Sequence, residues 1–98
     1  MREYEVTFIL QPTLEDAERA QLIERVTGWL KDATDGAEES LKAKHWGQRQ
    51  LAYEINRHKE GYYLFYEANL DPAKVKGIEQ NARFTEDILR YLFIRKDE

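Results

Sequence analysis

Between Trp46 and Tyr66 the chain reads WGQRQLAYEI, then NRHKE, then GYYLFY, and no other stretch narrows the possible folds as much. Leu51, Tyr53 and Ile55 alternate with small or polar residues, the period of a strand with one buried face. Gly47 interrupts this segment near its start. Past the polar joint come Tyr62, Tyr63, Phe65 and Tyr66, four aromatics in six residues. That density suits a central strand with both faces covered, or a sheet face used for contact. Two such segments joined by a polar stretch predict a long hairpin bearing an aromatic ladder, with Arg49, Arg57 and Lys59 adding positive charge.

The flanks supply the rest of a small α+β domain. Tyr4, Val6, Phe8 and Leu10 share one face of a strand over 2–10, while Glu3, Glu5 and Thr7 share the other and Ile9 breaks its polarity. Thr13 is placed to cap a helix over about 14–33, with acid in its first turn where the helix dipole favours it. Leu22, Ile23, Val26, Leu30 and Ala33 form its apolar stripe. Gly28 reads as a point of close approach to the sheet, and Gly36 as the helix end. Strand regions follow over 37–56 and 61–70. Asp71-Pro72 then opens a second helix, with Asp71 as cap and Pro72 where its missing N–H costs nothing. Val75, Ile78 and Ala82 form its buried stripe, Phe84 marks its end, and Leu89, Leu92 and Ile94 carry a last strand. The order strand-helix-strand-strand-helix-strand is that of the ferredoxin-like split β-α-β fold. The expected architecture is a four-stranded antiparallel sheet with two helices on one face. The other face stays open, and function is to be sought there.

At 98 residues the chain has room for one domain, 1–98, and one modest core. No apolar run approaches a membrane span, and Met1 leads directly into a strand pattern, leaving no room for a signal peptide. The lack of cysteine removes disulfides and thiolate metal sites and is compatible with the cytosol. A net charge of −4 is unusual for a nucleic-acid binder, but the charge is uneven. Residues 1–40 hold four Lys/Arg against ten Asp/Glu; residues 41–66 hold five against two; the remainder hold six against seven. The hairpin is locally basic beside an acidic N-terminal third, a pattern suited to meeting both RNA and a basic protein.

Nothing in the chain has the pattern of a catalyst. His45 and His58 lack partners at metal-ligand spacing, the carboxylates of the first helix form a solvated face, and no phosphate loop or serine elbow is present. We therefore read the chain as a non-enzyme with no cofactor or metal. Trp46, Arg49 and Tyr53 instead form a candidate contact patch, because tryptophan, tyrosine and arginine dominate protein interfaces. Arg2, Arg90 and Arg95 lie on strands that neighbour each other in this fold and suit phosphate contacts. A stand-alone RRM-like module for single-stranded RNA is the main alternative, with the aromatic run stacking on bases. Against the RRM pattern, however, Glu60–Glu67 fails at several positions, the first, fourth, fifth and last among them. A small-molecule regulatory domain on the same fold would usually show a Gly-rich ligand turn, which is absent.

The wording G-x-R-x-LAY-x-I at 47–55, followed by Gly61-Tyr62-Tyr63, resembles the bacterial small-subunit ribosomal protein S6 family. Met1-Arg2-Glu3-Tyr4-Glu5 opens like that family's first strand, Gln11-Pro12 is similar to its closing turn, and Leu89-Arg90-Tyr91 is similar to its last strand. The resemblance thus covers nearly the whole chain. Gln48 and Gln50 stand where relatives usually carry basic residues, and the tail stops soon after the last strand. The resemblance implies a structural role in the small ribosomal subunit, in the cytoplasm. It implies binding to the central domain of small-subunit ribosomal RNA as a heterodimer with the small basic ribosomal protein S18, with no membrane and no small-molecule substrate. On this reading Arg2, Tyr4, Arg90, Tyr91 and Arg95 are expected to meet RNA, and Trp46, Arg49, Leu51 and Tyr53 to meet the protein partner.

Overall fold

Strand β1 (Arg2–Leu10) runs through the middle of an antiparallel sheet in the computed structural model, which describes residues 1–96. The end of the short tail lies outside those residues. β4 (His58–Leu70) pairs with all of β1 on one side, and β5 (Ile88–Arg95) lies on the other. Beyond β4 come β2 (Leu41–Ala43) and β3 (Gly47–Ile55), placed end to end. The sheet is therefore four strands wide but built from five segments. Helices α1 (Asp16–Asp32) and α2 (Pro72–Arg83) complete the ferredoxin-like order.

The alternation in β1 sets the core. Tyr4, Val6, Phe8 and Leu10 face the helices with Leu64, Tyr66, Ala68 and Leu70, their cross-strand partners or near neighbours on β4. Leu22, Val26 and Leu30 of α1 and Val75, Ile78 and Ala82 of α2 close over them, so both helices cover the same face. Each fully buried leucine stabilises by roughly 1.5–3 kcal/mol relative to exposure. Phe8 meets Phe93 and Tyr66 edge-on at 5.9 and 6.3 Å, the geometry that ring quadrupoles favour. The Tyr66 hydroxyl shares a 2.7 Å hydrogen bond with Thr27 of α1, so the buried phenol is not left unsatisfied.

The second helix starts as its sequence predicts, the Asp71 carboxylate accepting the Ala73 N–H at 3.0 Å with Pro72 in the first turn. The first helix differs. Its N-cap is Glu15, whose N–H donates to the Glu18 carboxylate, while the Thr13 amide and hydroxyl turn back to Gln11 Oε1; local side-chain bonding has captured Thr13. The helix stops at Ala33, and Gly36 sits three residues later in the connecting loop at φ 88°. Gly28 makes no close approach to the sheet either, since a Cβ there would meet open space. The expected strand over 37–56 is divided into a 3₁₀ turn (Glu38–Ser40), β2, an irregular stretch and β3.

Candidate protein and nucleic-acid interface

The division between β2 and β3 creates the main feature of the open face. Ala43 pairs with Tyr66 and Gly47 with Tyr63, so one more residue lies between them on this side than on β4. This is a β-bulge, and Gly47 serves it at φ 76°, a value that costs an L side chain but not glycine. Across the bulge His45 turns toward the helix side, edge-on to Tyr66 at 4.9 Å, and desolvation there lowers its pKa. Trp46 turns to the open face, stacked on Phe65 at 5.3 Å and on Tyr63 at 5.9 Å. The aromatic run of β4 is thereby split. Tyr62 and Tyr66 serve the helix side, Tyr63 and Phe65 the open face.

A second irregularity bends the hairpin. Pairing passes from Gln50 with Glu60 to Ile55 with His58, so the four residues 51–54 stand opposite Lys59 alone. The joint itself is only Asn56 and Arg57, at φ 49° and 68°, the pair of left-handed conformations that a two-residue hairpin turn requires. The crowded side folds over the open face. Leu51 is buried there against Gly61 and Ile9, which explains why Ile9 breaks the polar pattern of β1. Tyr53 reaches β5, where Arg90 Nη1 donates to its hydroxyl at 2.6 Å and the guanidinium lies 5.4 Å from its ring centroid.

On β5 itself Leu92 and Ile94 lie across from Thr7 and Glu5 on the open face, 52% and 48% exposed. With Trp46 at 50% exposure, Tyr63 and Phe65 they set apolar side chains on both sides of β1 across the open face, the kind of surface that marks interaction sites. One end of the patch carries charge. Glu67 bonds Lys44 at 2.7 Å and Lys96 at 3.3 Å, and Lys96 also lies 3.8 Å from Glu3. Lys44 first, then Lys96, hold the Glu67 carboxyl below the ordinary carboxylate range, and Glu67 raises Lys96 in return. Glu5 sits beside Glu67 on the neighbouring strand.

The residues expected to meet a protein thus gather on one face: Trp46 and Tyr53 exposed, Arg49 exposed on β3, Leu51 buried beneath the hairpin. Those expected to meet RNA divide. Arg90 lies on the open face opposite Ile9. Tyr91 faces the helix side, in a shallow groove with Lys76, Glu79, Gln80 and Arg83 of α2. Arg95 lies opposite Tyr4, and Arg2 opens the same end of β1. Tyr4 is only 5% exposed and packs edge-on to Phe93 at 6.5 Å, so its ring supports this end of the sheet from inside. The sequence reading gave Leu92 and Ile94 only as apolar content of the last strand and did not single out Lys76 and Arg83; the structure places the first two on the open face and the others in the Tyr91 groove. The signal for the first two is the run Leu89–Ile94, apolar at five of six positions, which is more than a strand with one buried face requires.

Among the described residues no group of three or more His, Asp or Glu side chains converges to hold a metal ion, and no helix is long and apolar enough to cross a membrane. What the open face offers is area, a polar rim and fixed aromatics, the anatomy of an interaction surface. The fold and this face define a ferredoxin-like binding module. The ribosomal protein S6 family model matches residues 3–95, and the chain belongs to that family. It is therefore a structural, non-enzymatic constituent of the small subunit of the bacterial ribosome, a cytoplasmic particle. Among solved structures it is similar to the crystal structure of 30S ribosomal protein S6 from Thermotoga maritima. Identity is 30%, the TM-score is 0.82, and 98% of this chain and 88% of that one are covered.

Proposed function

We propose that the chain binds the central domain of small-subunit ribosomal RNA as a heterodimer with the basic ribosomal protein S18. The open sheet face takes the protein; Arg90 at the β5 edge of that face, together with Arg2, Arg95 and the Tyr91 groove toward α2, takes RNA. The observation that carries this reading is the apolar patch of Trp46, Phe65, Leu92 and Ile94, bounded at one end by a charged cluster in which Glu3, Glu5 and Glu67 outnumber Lys44 and Lys96. Apolar area with an acidic rim suits a basic protein. It suits a phosphate backbone less well, because apolar area offers phosphates no partner and Lys44 and Lys96 are already engaged by Glu67, and this disfavours the stand-alone RRM-like reading. A partner with net positive charge also supplies the counterion release that a chain of net charge −4 lacks.

The test is a salt titration of binding to a central-domain transcript with and without S18. Alone, the protein is expected to bind weakly with a shallow slope. With S18, affinity should rise and the slope steepen. Tight binding without the partner at physiological salt would contradict this reading and support the RRM-like one.

A further inference from the structure

We propose that Tyr53 is a positioning residue for Arg90, and that this pair couples the partner surface to the RNA surface; the inference rests on the function proposed above. Arg90 stands on β5 where the open face meets the sheet edge, and Tyr53 comes to it from a hairpin 37 residues away. The phenol accepts one N–H of the guanidinium at 2.6 Å while its ring lies against the same group. A guanidinium has five N–H donors. Four remain, including both on Nη2, and these are enough to present a fork to a phosphate. Tyr53 therefore aims Arg90 without consuming its capacity to bind.

Leu51 holds the arm that carries Tyr53. Its side chain is buried over Ile9 and Gly61, so the arm is anchored two residues before Tyr53 even though residues 51–54 have no regular ladder. An isolated exposed arginine gives up much rotamer freedom when it grips a phosphate; Arg90 has given up part of it already. A protein seated on the open face beside Trp46 would also exclude water from the Arg90–Tyr53 bond, strengthening it. Binding of the partner then favours binding of RNA, and by linkage RNA favours the partner to the same degree.

The experiment compares Y53F, R90A and the double variant, using purified S18 and a transcript of the central domain of a bacterial small-subunit ribosomal RNA. Y53F keeps the ring and removes only the acceptor. It should lower RNA affinity about two- to tenfold with the salt slope unchanged, because no charge is lost. R90A should lower affinity and make the slope shallower by about 1, and the double variant should equal R90A. Amide exchange over 51–59 should quicken in Y53F while the global unfolding midpoint holds. Losses that multiply in the double variant would overturn the inference, as would wild-type RNA affinity in Y53F alongside a loss in R90A. A Y53F defect abolished by excess S18 would also overturn it, making Tyr53 a plain partner contact. If R90A itself binds RNA with wild-type affinity and slope, the RNA contact proposed for Arg90 has failed, and the inference with it.

Discussion

A methyl group at Gly61 probes how the hairpin folds over the sheet. Gly61 has no positive φ and needs no glycine for its backbone; it needs one for space. A Cβ there would fall far inside van der Waals contact with Ile9 Cγ2 and come within 3.4 Å of Leu51 Cδ2 and 3.5 Å of the Leu10 carbonyl oxygen. Ile9 is buried and β-branched, so it has few rotamers to retreat into. Overpacking of this kind costs about 1–3 kcal/mol, while loss of glycine's freedom in the unfolded chain returns about 0.4–1 kcal/mol. Gly61→Ala should therefore destabilise by about 1–2 kcal/mol. In urea, with a slope near 1 kcal/mol/M for a small domain, the midpoint should fall by about 1–2 M. Adding Ile9→Ala should relieve the clash, so the double variant should cost about 1 kcal/mol less than the sum of the singles. An unchanged or raised midpoint for Gly61→Ala would refute the close packing of Leu51, Gly61 and Ile9.

Leu30 is fully buried against the sheet and Glu24 is exposed on α1, so Leu30→Ala should cost about 2–5 kcal/mol and Glu24→Ala less than about 0.5 kcal/mol; equal costs in urea unfolding would contradict the helix register. Trp46→Ala should weaken pairing with S18 by about 2 kcal/mol, measured by calorimetry, while thermal unfolding shows a smaller loss because the ring is half-exposed and its main contacts are two stacks. Excess S18 should then restore RNA binding, and unfolding of the domain with pairing intact in the folded fraction would assign Trp46 to the core instead. Glu67 titrates below its unfolded value, so the unfolded state binds more protons between the two values. Its contribution is full above the ordinary glutamate range and disappears as pH falls through the lower folded value. Glu67→Gln should flatten that part of the acid limb of a stability–pH curve, and an unaltered limb would refute the Lys44–Glu67–Lys96 cluster.

What was legible in the sequence is what local chemistry decides. The alternation of Tyr4 to Leu10 and the Asp71-Pro72 start of α2 both depend on residues within a few positions of each other, and both hold in the structure. The helix stripe of Leu22, Val26 and Leu30 holds for the same reason. The ends of α1 were less legible because Thr13 had a competing partner in Gln11. The strand over 37–56 read as one because a bulge changes which face a residue takes without changing composition. Gly47 was the visible trace of it. Residue type singled out Trp46 and Tyr53 as contact candidates, but their company within the fold was not legible: Trp46 finds Phe65, and Tyr53 finds Arg90, only through strand pairing across long separations. Ile9 shows the same limit, an apolar residue on a polar face until the hairpin covers it.

Amide exchange of the full chain with and without purified S18 tests the central claim most directly, because it reports which face the partner covers. The account predicts slower exchange around Trp46, Tyr63–Phe65 and Leu92–Ile94, with α1 around Arg25 and Trp29 unchanged. Protection confined to the helices, with the open sheet face unaffected, would contradict it.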